Sequence, residues 1–500
     1  MRPDIRQVIE NHTLAKLSSF LDELANGTRN YRTLHSLTEQ IEHQYHGRFL
    51  IELLQNGHDS LRAVVPRNGL RRIRIQLDTE EGENGVLYVA NDGRPFLLED
   101  FLSLAYLGQS AKDPNQFVGN KGIGFRSVLE ICDSPEVFSA SEIKNSGFNG
   151  FCFSFRPAFV REFGERLAEA CDNRATPSIT FGGVLRSLVT GWTNARLESF
   201  WNRWSGRAKK ELTQEIQFLS AYLLPVPNDD QTALVAAFAA SGFATVVRLP
   251  LRSPPARDLA TRKLEDFDAE DMLFLESLDE VEIVIGGKSW FYQRHSTAPM
   301  PSKHWAWEEV RLKAPPIRIS DPTLSAATTL LAISDTRYWV WTRQVGGERD
   351  GAGAAQLEAA AKGLPGNWPQ LREATVSLGV RLDSRAIKGR FSIFLPTEQD
   401  TGFGTHINAP FYGEINRTDI PFAEPLNKLL LERAAELAID VSDALESHGV
   451  DGATARVDLL APTVDVGKLV FWQALNAALR RPEGILRSSQ SYSPVRDGNH

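Results

Sequence analysis

The sequence predicts an α+β fold, built as two successive α+β domains, and three observations carry that expectation. The most informative stretch runs helix, strand, turn, strand, loop, which is not the βαβ alternation of a doubly wound domain. At 500 residues the chain is too long for one compact domain. Hydrophobic residues make up 42% and charged residues 24%, so it can bury cores, and globally disordered and fibrous classes are excluded.

Taken in order, residues 1–30 read as an N-terminal helical extension. Ile9, Leu14, Leu17, Phe20, Leu21 and Leu24 recur at roughly helical spacing over 5–26, and Gly27 and Asn30 punctuate a turn. A second helix is expected over 34–65. Ile73-Arg74-Ile75-Gln76-Leu77 alternates as a half-buried strand, 80–85 forms a turn, and 86–90 is its antiparallel partner. Residues 100–121 read as a polar loop with short helical pieces, and 125–132 as a helix. Strands are expected at 150–155 and 245–251, separated by a helical insertion over 194–224. The prolines of Arg252-Ser253-Pro254-Pro255 suit a linker, which closes a first domain over 31–255. A second α+β domain follows over 263–445, with strands at 281–285, 339–341, 377–382 and 390–395. It also holds an Ala-rich helix at 354–361 and a closing helix at 423–444. Residues 446–500 read as a helical segment and a tail that is disordered past Arg481.

Composition narrows the function. The net charge is −8, so the chain does not coat nucleic acid by its overall charge, although a local basic groove stays open. Cys132, Cys152 and Cys171 form no C-x-x-C pair, which excludes a disulfide framework and a thiolate zinc site and suits a reducing cytoplasm. Met1-Arg2-Pro3-Asp4 lacks the apolar core of a signal peptide, and no apolar run is long enough to span a bilayer, so a soluble cytoplasmic protein is expected. His43 and His46 share a helix face without a third ligand nearby. Trp192, Trp201 and Trp204 lie among Arg203, Arg207, Lys209 and Lys210, a pattern that fits a nucleic-acid surface and, more often, core anchors. Glu280 and Glu282 stand too far from Lys288 for a nuclease motif. Neither a nucleophile elbow nor a phosphoacceptor helix is apparent.

The chemistry concentrates in residues 52–125. In Glu52-Leu53-Leu54-Gln55-Asn56-Gly57-His58-Asp59, the residues Glu52, Asn56 and Asp59 stand at i, i+4 and i+7, on one helix face. A carboxylate there can orient or deprotonate a water, and a carboxamide oxygen is a hard neutral ligand for magnesium. A polar stripe facing solvent has the same spacing, and these residues alone do not separate the two. The strand end Val89-Ala90-Asn91-Asp92-Gly93 is a turn signal. It equally presents a carboxylate, able to accept from the exocyclic amine of adenine, beside a glycine that admits a flat ring. Gly119-Asn120-Lys121-Gly122-Ile123-Gly124-Phe125 precedes a helix, so its backbone N–H groups can approach an anion and Lys121 adds a cation. Its spacing is neither the Rossmann nor the Walker pattern, and a kinase loop would need glycine where Ser127 stands.

In this order the motifs resemble the Bergerat-fold (GHKL) ATPases, which include gyrase, a heat-shock chaperone, sensor histidine kinases and mismatch-repair MutL. The helix with Glu52 and Asn56 is similar to the family's N-box, Asn91-Asp92-Gly93 to its first glycine motif, and Gly119 to Phe125 to its second. Leu107-Gly108-Gln109-Ser110-Ala111-Lys112 is similar to the lid between them. Tyr45-His46-Gly47-Arg48-Phe49-Leu50-Ile51-Glu52 and Gly122-Ile123-Gly124-Phe125-Arg126-Ser127-Val128 resemble most the sacsin/NO VEIN branch. That branch carries a chaperone-like ATPase in large plant and animal proteins and in bacterial proteins, some near anti-phage defence genes. The resemblance is specific over residues 31–140. Beyond it, the strand with Thr245 is similar to the family's late Thr-bearing strand, and 391–427 to the branch's second domain, with Arg417 in its catalytic-loop position. The family has Asp two residues before the aligned glycine, where this chain has Asn91 followed by Asp92. Asp92 is expected to read the adenine, with Asn91 as the alternative. His58, at a position usually small, is expected to be structural.

The resemblance implies a two-layer Bergerat sandwich, a mixed sheet covered by helices, followed by a transducer- or middle-like α+β domain. It implies a slow Mg²⁺-dependent ATPase that works as a conformational switch. Glu52 then positions the attacking water, Asn56 binds Mg²⁺, and Asp92, with Asn91, Asp59, Gly93 and Thr245, holds the adenine side. Gly119, Asn120, Lys121, Gly122, Ile123, Gly124 and Phe125 cradle the phosphates, Arg417 reaches the γ-phosphate, and Ser110 and Lys112 belong to the lid. Closure of residues 100–121 would gate a homodimer or a partner protein. The rival readings are a non-catalytic nucleotide-sensing scaffold and a nucleic-acid-stimulated ATPase of the gyrase or MutL kind, whose stimulation collapses at high salt.

Overall fold

The computed structural model describes residues 4–36, 47–64, 69–105, 124–142, 147–181, 183–206, 209–302, 304–315, 334–348, 350–382, 388–413, 419–463 and 469–480. It is an α+β structure of two compact units, the first formed by residues up to His295 and the second by most of those after it.

In the first unit the elements run α1 (Ile5–Asn26), α2 (Phe49–Arg62), β1 (Arg72–Asp78), β2 (Val86–Asn91), α3 (Leu98–Ala105) and a 3-10 helix (Gly124–Glu130). Then come β3 (Glu136–Ser139), β4 (Phe153–Phe155), α4 (Pro157–Asp172), the hairpin β5 (Ser178–Phe181) and β6 (Val184–Ser187), α5 (Asn194–Trp204) and α6 (Lys209–Ile216). The unit closes with β7 (Pro225–Pro227), α7 (Ala233–Ala240), β8 (Thr245–Pro250), α8 (Pro254–Glu265), β9 (Glu280–Ile285) and β10 (Lys288–Ser296).

The main sheet is mixed, in the order β10-β9-β1-β2-β8-β3-β4-β7. The β1–β2 hairpin expected from the alternation is present, with Ile73 opposite Asn91 and Asp78 opposite Val86. β9 lies parallel to β1 on its other side, and β8 runs antiparallel to β2 and β3. Period two gives the sheet two chemically different faces. Tyr88, Ala90, Phe138 and Val246 point to one face and pack with Phe238 and Phe243 at and just beyond α7. Ile73 points to the other, where α2 lies so close that a Cβ on Gly57 would sit 2.6 Å from Ile73 Cδ1.

Four expectations change. The single helix expected over 34–65 is interrupted at Gly47, which is left-handed at φ 76°, so α2 begins only at Phe49. The prolines of 252–255 do not form a linker. Ser253 accepts from Ala256 N–H as an N-cap, Pro254 and Pro255 fill the first turn of α8, and Ala260 and Leu264 are buried. Because β9 belongs to the first sheet, the division falls at His295 and not at 255. Residues after the glycine motif form a 3-10 helix and not an α-helix. The strand expected at 150–155 is confined to Phe153–Phe155, because Gly150 packs directly on Ala140, where a Cβ would meet the carbonyl carbon at 2.7 Å. β3, α4, β5, β6, β7, α7 and β10 had no expected counterpart.

Helices of the 194–224 region pack with α1 and α4 into a separate core that holds Phe20, Phe163, Phe200 and Trp204. Trp192 donates to Asp22 at 2.9 Å and Trp201 to the Ala175 carbonyl at 3.0 Å, so these indoles are anchors of that core. The three cysteines are buried free thiols, and burial pushes Cys152 up to about 11. Glu280 and Glu282 sit on the β9–β10 hairpin, turned by Gly286 and Gly287 in left-handed conformations.

The second unit contains the short β11 (Met300–Pro301), β12 (Ala306–Ala314), β13 (Ser334–Gly346), α9 (Gly351–Ala361), β14 (Glu373–Arg381), β15 (Arg390–Ile393), β16 (Leu395–Asp400) and β17 (Thr405–Asn408). Helices α10 (Pro425–Ala444), α11 (Gly449–Leu460) and α12 (Val470–Leu479) follow. Its strands run in the order β16-β15-β17-β14-β13, and α10 packs against β14. No helix among the described residues is long and apolar enough to cross a membrane.

Candidate functional site

Helix α2 is the spine of the site. Its Glu52, Asn56 and Ser60 lie in one line at i, i+4 and i+8, spanning about 12 Å at the α-helical rise. Glu52 is buried at 2% exposure and Asn56 is half-buried. Gly124, the last glycine of its motif, abuts the Glu52 carboxylate. A Cβ on residue 124 would stand 2.7 Å from Glu52 Cδ and nearer still to Oε2, so only glycine lets the backbone come so close. Phe125 follows it into an aromatic cluster with Phe101, Phe153 and Phe155.

At the opposite end of the line, Ser60 meets the end of β2. The Asn91 Oδ1 accepts from the Gly93 N–H at 3.2 Å, and the Ser60 hydroxyl, with one proton to give, lies 2.7 Å from both Asn91 Oδ1 and the Gly57 carbonyl. Gly93 is packed onto the helix backbone, since a Cβ there would lie 2.7 Å from Leu61 N. Arg94 N–H closes the junction by donating to the Ser60 carbonyl at 3.0 Å. Register continues this polarity across the sheet. Asn91 stands opposite Thr245 on β8, and Thr245 opposite Ser139 on β3, with 3.2 Å between the two hydroxyls. Asn91, Thr245 and Ser139 thus form a buried polar row on the face that α2 covers.

Asp92 belongs to the other face. Its carboxylate accepts from Arg72 N–H at 2.8 Å and from Arg72 Nε at 3.1 Å, and the Arg72 guanidinium lies over the Phe243 ring. Burial pushes the Asp92 carboxyl up, and its bonds to Arg72 oppose that shift. The placement expected of Asp92 is therefore taken by Asn91, because successive residues at a strand end point to opposite faces.

Asp59 is buried beside the line, and its charge is felt by Arg94, whose guanidinium is raised chiefly by its paired bond to Asp100 at the start of α3. His58 points away, as expected. Its Nε2 accepts from Ser277 N–H at 3.3 Å, and burial pushes the imidazole down to about 4. Ser110, Lys112, Gly119, Asn120, Lys121, Gly122, Ile123 and Arg417 lie outside the described residues, as do His43 and His46. In the second unit Asn427 ties together Tyr412 and Pro421, which flank the segment holding Arg417. It accepts from Tyr412 N–H at 2.7 Å and donates to the carbonyls of Tyr412 and Pro421 at 2.8 and 3.0 Å.

Sequence reasoning missed Ser60 and Ser139. Ser60 continues the helix stripe by one further turn and was legible there; Ser139 becomes visible only through the pairing of β3 with β8. A cavity of about 320 Å³ elsewhere in the first unit has arginines that are already held: Arg6 by Glu10 and Asp229, Arg156 by Ser154 and Asn228, and Arg166 by Glu162.

Fold and site together define an α+β protein in which one helix carries a buried acid and a carboxamide between a glycine contact and a polar strand end. No family model matches the chain. Over 125 residues it is 31% identical to Protein NO VEIN of Arabidopsis thaliana, a stretch covering 25% of this chain. That stretch spans only 4% of the plant protein's length, so the similarity is local.

Proposed function

We propose that the first unit binds ATP with Mg²⁺ and hydrolyses it slowly as a conformational switch. The observation that carries this reading is the contact between Gly124 and Glu52, which brings the end of a glycine-rich motif directly onto a buried carboxylate. The polar row at the other end of the α2 line supports it.

In this reading the Glu52 carboxylate orients the attacking water and accepts its proton, with the Gly124 backbone packed against it. Ser60, Asn91 and Thr245 hold the base end, and the amides and Lys121 of the glycine motif face the phosphates. The donor set fits magnesium: Asn56 offers a half-buried neutral oxygen one helical turn from Glu52, which leaves the remaining positions to water and phosphate. Magnesium, when bound, would neutralise phosphate charge. Closure of residues 100–121 would present a surface to a second copy or to a partner protein, in a chaperone-like or defence setting.

Phosphate release and calorimetry on the same sample test the reading. Glu52→Gln is expected to keep nucleotide binding while hydrolysis falls at least ~100-fold, the usual scale of a lost general base. Unchanged hydrolysis with binding retained would falsify the role of Glu52, and absence of both in the parent protein would leave a scaffold.

A further inference from the structure

The group that the α2 face offers to a base is a carboxamide N–H and not a carboxylate. Asn91 Oδ1 accepts from Gly93 N–H and shares the single Ser60 hydroxyl proton with the Gly57 carbonyl, each at 2.7 Å from Oγ, and Asp92 is turned away to Arg72. The Gly93 N–H fixes the amide orientation, since the flipped form would set two donors head to head. Nδ2 is then the hydrogen-bonding group of Asn91 that is left without a partner among the described residues. Thr245, its neighbour across the strand pair, carries a hydroxyl that can donate or accept and therefore imposes no sign of its own.

Resting on the nucleotide-site reading above, we infer that this site has relaxed purine selectivity and takes 6-oxo purine nucleoside triphosphates alongside ATP. An N–H donor facing the 6-position meets the 6-carbonyl of guanine and hypoxanthine directly, and meets the ring nitrogen N1 of adenine after a small in-plane shift of the base. A carboxylate in the same place accepts from the 6-amine and repels a 6-carbonyl, so it selects adenine. The residue identity at 91 therefore sets which purines enter.

The test is calorimetry of the full chain with MgATP, MgGTP and MgITP, for the parent protein and for Asn91→Asp. The aspartate keeps an oxygen for both Ser60 and Gly93, so the strand end retains its two bonds. The parent is expected to bind all three nucleotides within roughly tenfold, about the worth of one net hydrogen bond. Asn91→Asp is expected to favour ATP over GTP and ITP by at least ~10-fold more than the parent does, and Asp92→Asn to keep the parent's ratio. Parent binding of ATP with GTP and ITP weaker by ~100-fold or more overturns the inference while leaving the ATP site intact. So does a ratio unmoved by Asn91→Asp in a protein with native circular dichroism. Failure of all three nucleotides to bind removes the site and the inference together.

Discussion

At residue 124 a single methyl group is the sharpest probe of the site. Gly124→Ala drives Cβ into the Glu52 carboxylate, which is itself buried and has little room to withdraw. Hydrolysis is expected to fall at least ~10-fold, some 1.4 kcal/mol of barrier, with the circular dichroism spectrum unchanged. A variant as active as the parent would separate Gly124 from the chemistry. His58 and His12 give a second residue-level expectation, in stability. Burial holds both imidazoles down at about 4. Below the ordinary value of about 6.5 the unfolded chain takes up protons that the folded chain refuses. Stability is therefore full above that pH and is lost as pH falls toward 4, by on the order of 3 kcal/mol for His58 and by less for His12, which solvent screens in part. Urea unfolding at pH 7 and pH 4.5 should show this loss, and His58→Gln, which keeps an acceptor for Ser277, should lessen it. An equal loss in parent and variant would take His58 out of the account.

At the level of elements, α2 was legible because its stripe repeats at helical spacing, and β1–β2 because alternation is strict there. α8 was not, since Ser253-Pro254-Pro255 reads as a linker until the cap and the burial of Leu264 are seen. β3 was missed for a different reason: four residues are too few to set a period, and pairing with β8 is what makes them a strand. Asn427 on α10 shows how one polar side chain fixes a connection. Fully buried, it makes three hydrogen bonds to Tyr412 and Pro421. Asn427→Ala leaves those backbone groups without their partner, and a loss of roughly 2–4 kcal/mol in urea unfolding is expected. A loss under ~0.5 kcal/mol would mean that water replaces the amide without cost.

For the whole molecule, the proposed site makes stability depend on ligand. Nucleotide that binds only the folded chain stabilises it by about 2.7 kcal/mol at a hundredfold excess over Kd, so MgATP should raise the melting temperature and chelation of Mg²⁺ should reverse most of that rise. A melting curve indifferent to MgATP contradicts the reading. The acidic balance adds that DNA and RNA should not stimulate hydrolysis at physiological salt; salt-sensitive stimulation would favour the nucleic-acid-driven alternative. By itself the sequence determined the α+β class and the helix that carries Glu52 and Asn56, because spacing along one element places side chains on a common face. Tertiary structure decided what lies across from that face. Whether Asn91 or Asp92 meets α2 depends on strand register, the row Asn91–Thr245–Ser139 on pairing between strands distant in sequence, and the fate of Pro254 on what caps it. Contacts between residues far apart in the chain leave no period in the sequence, and only the folded sheet brings them together.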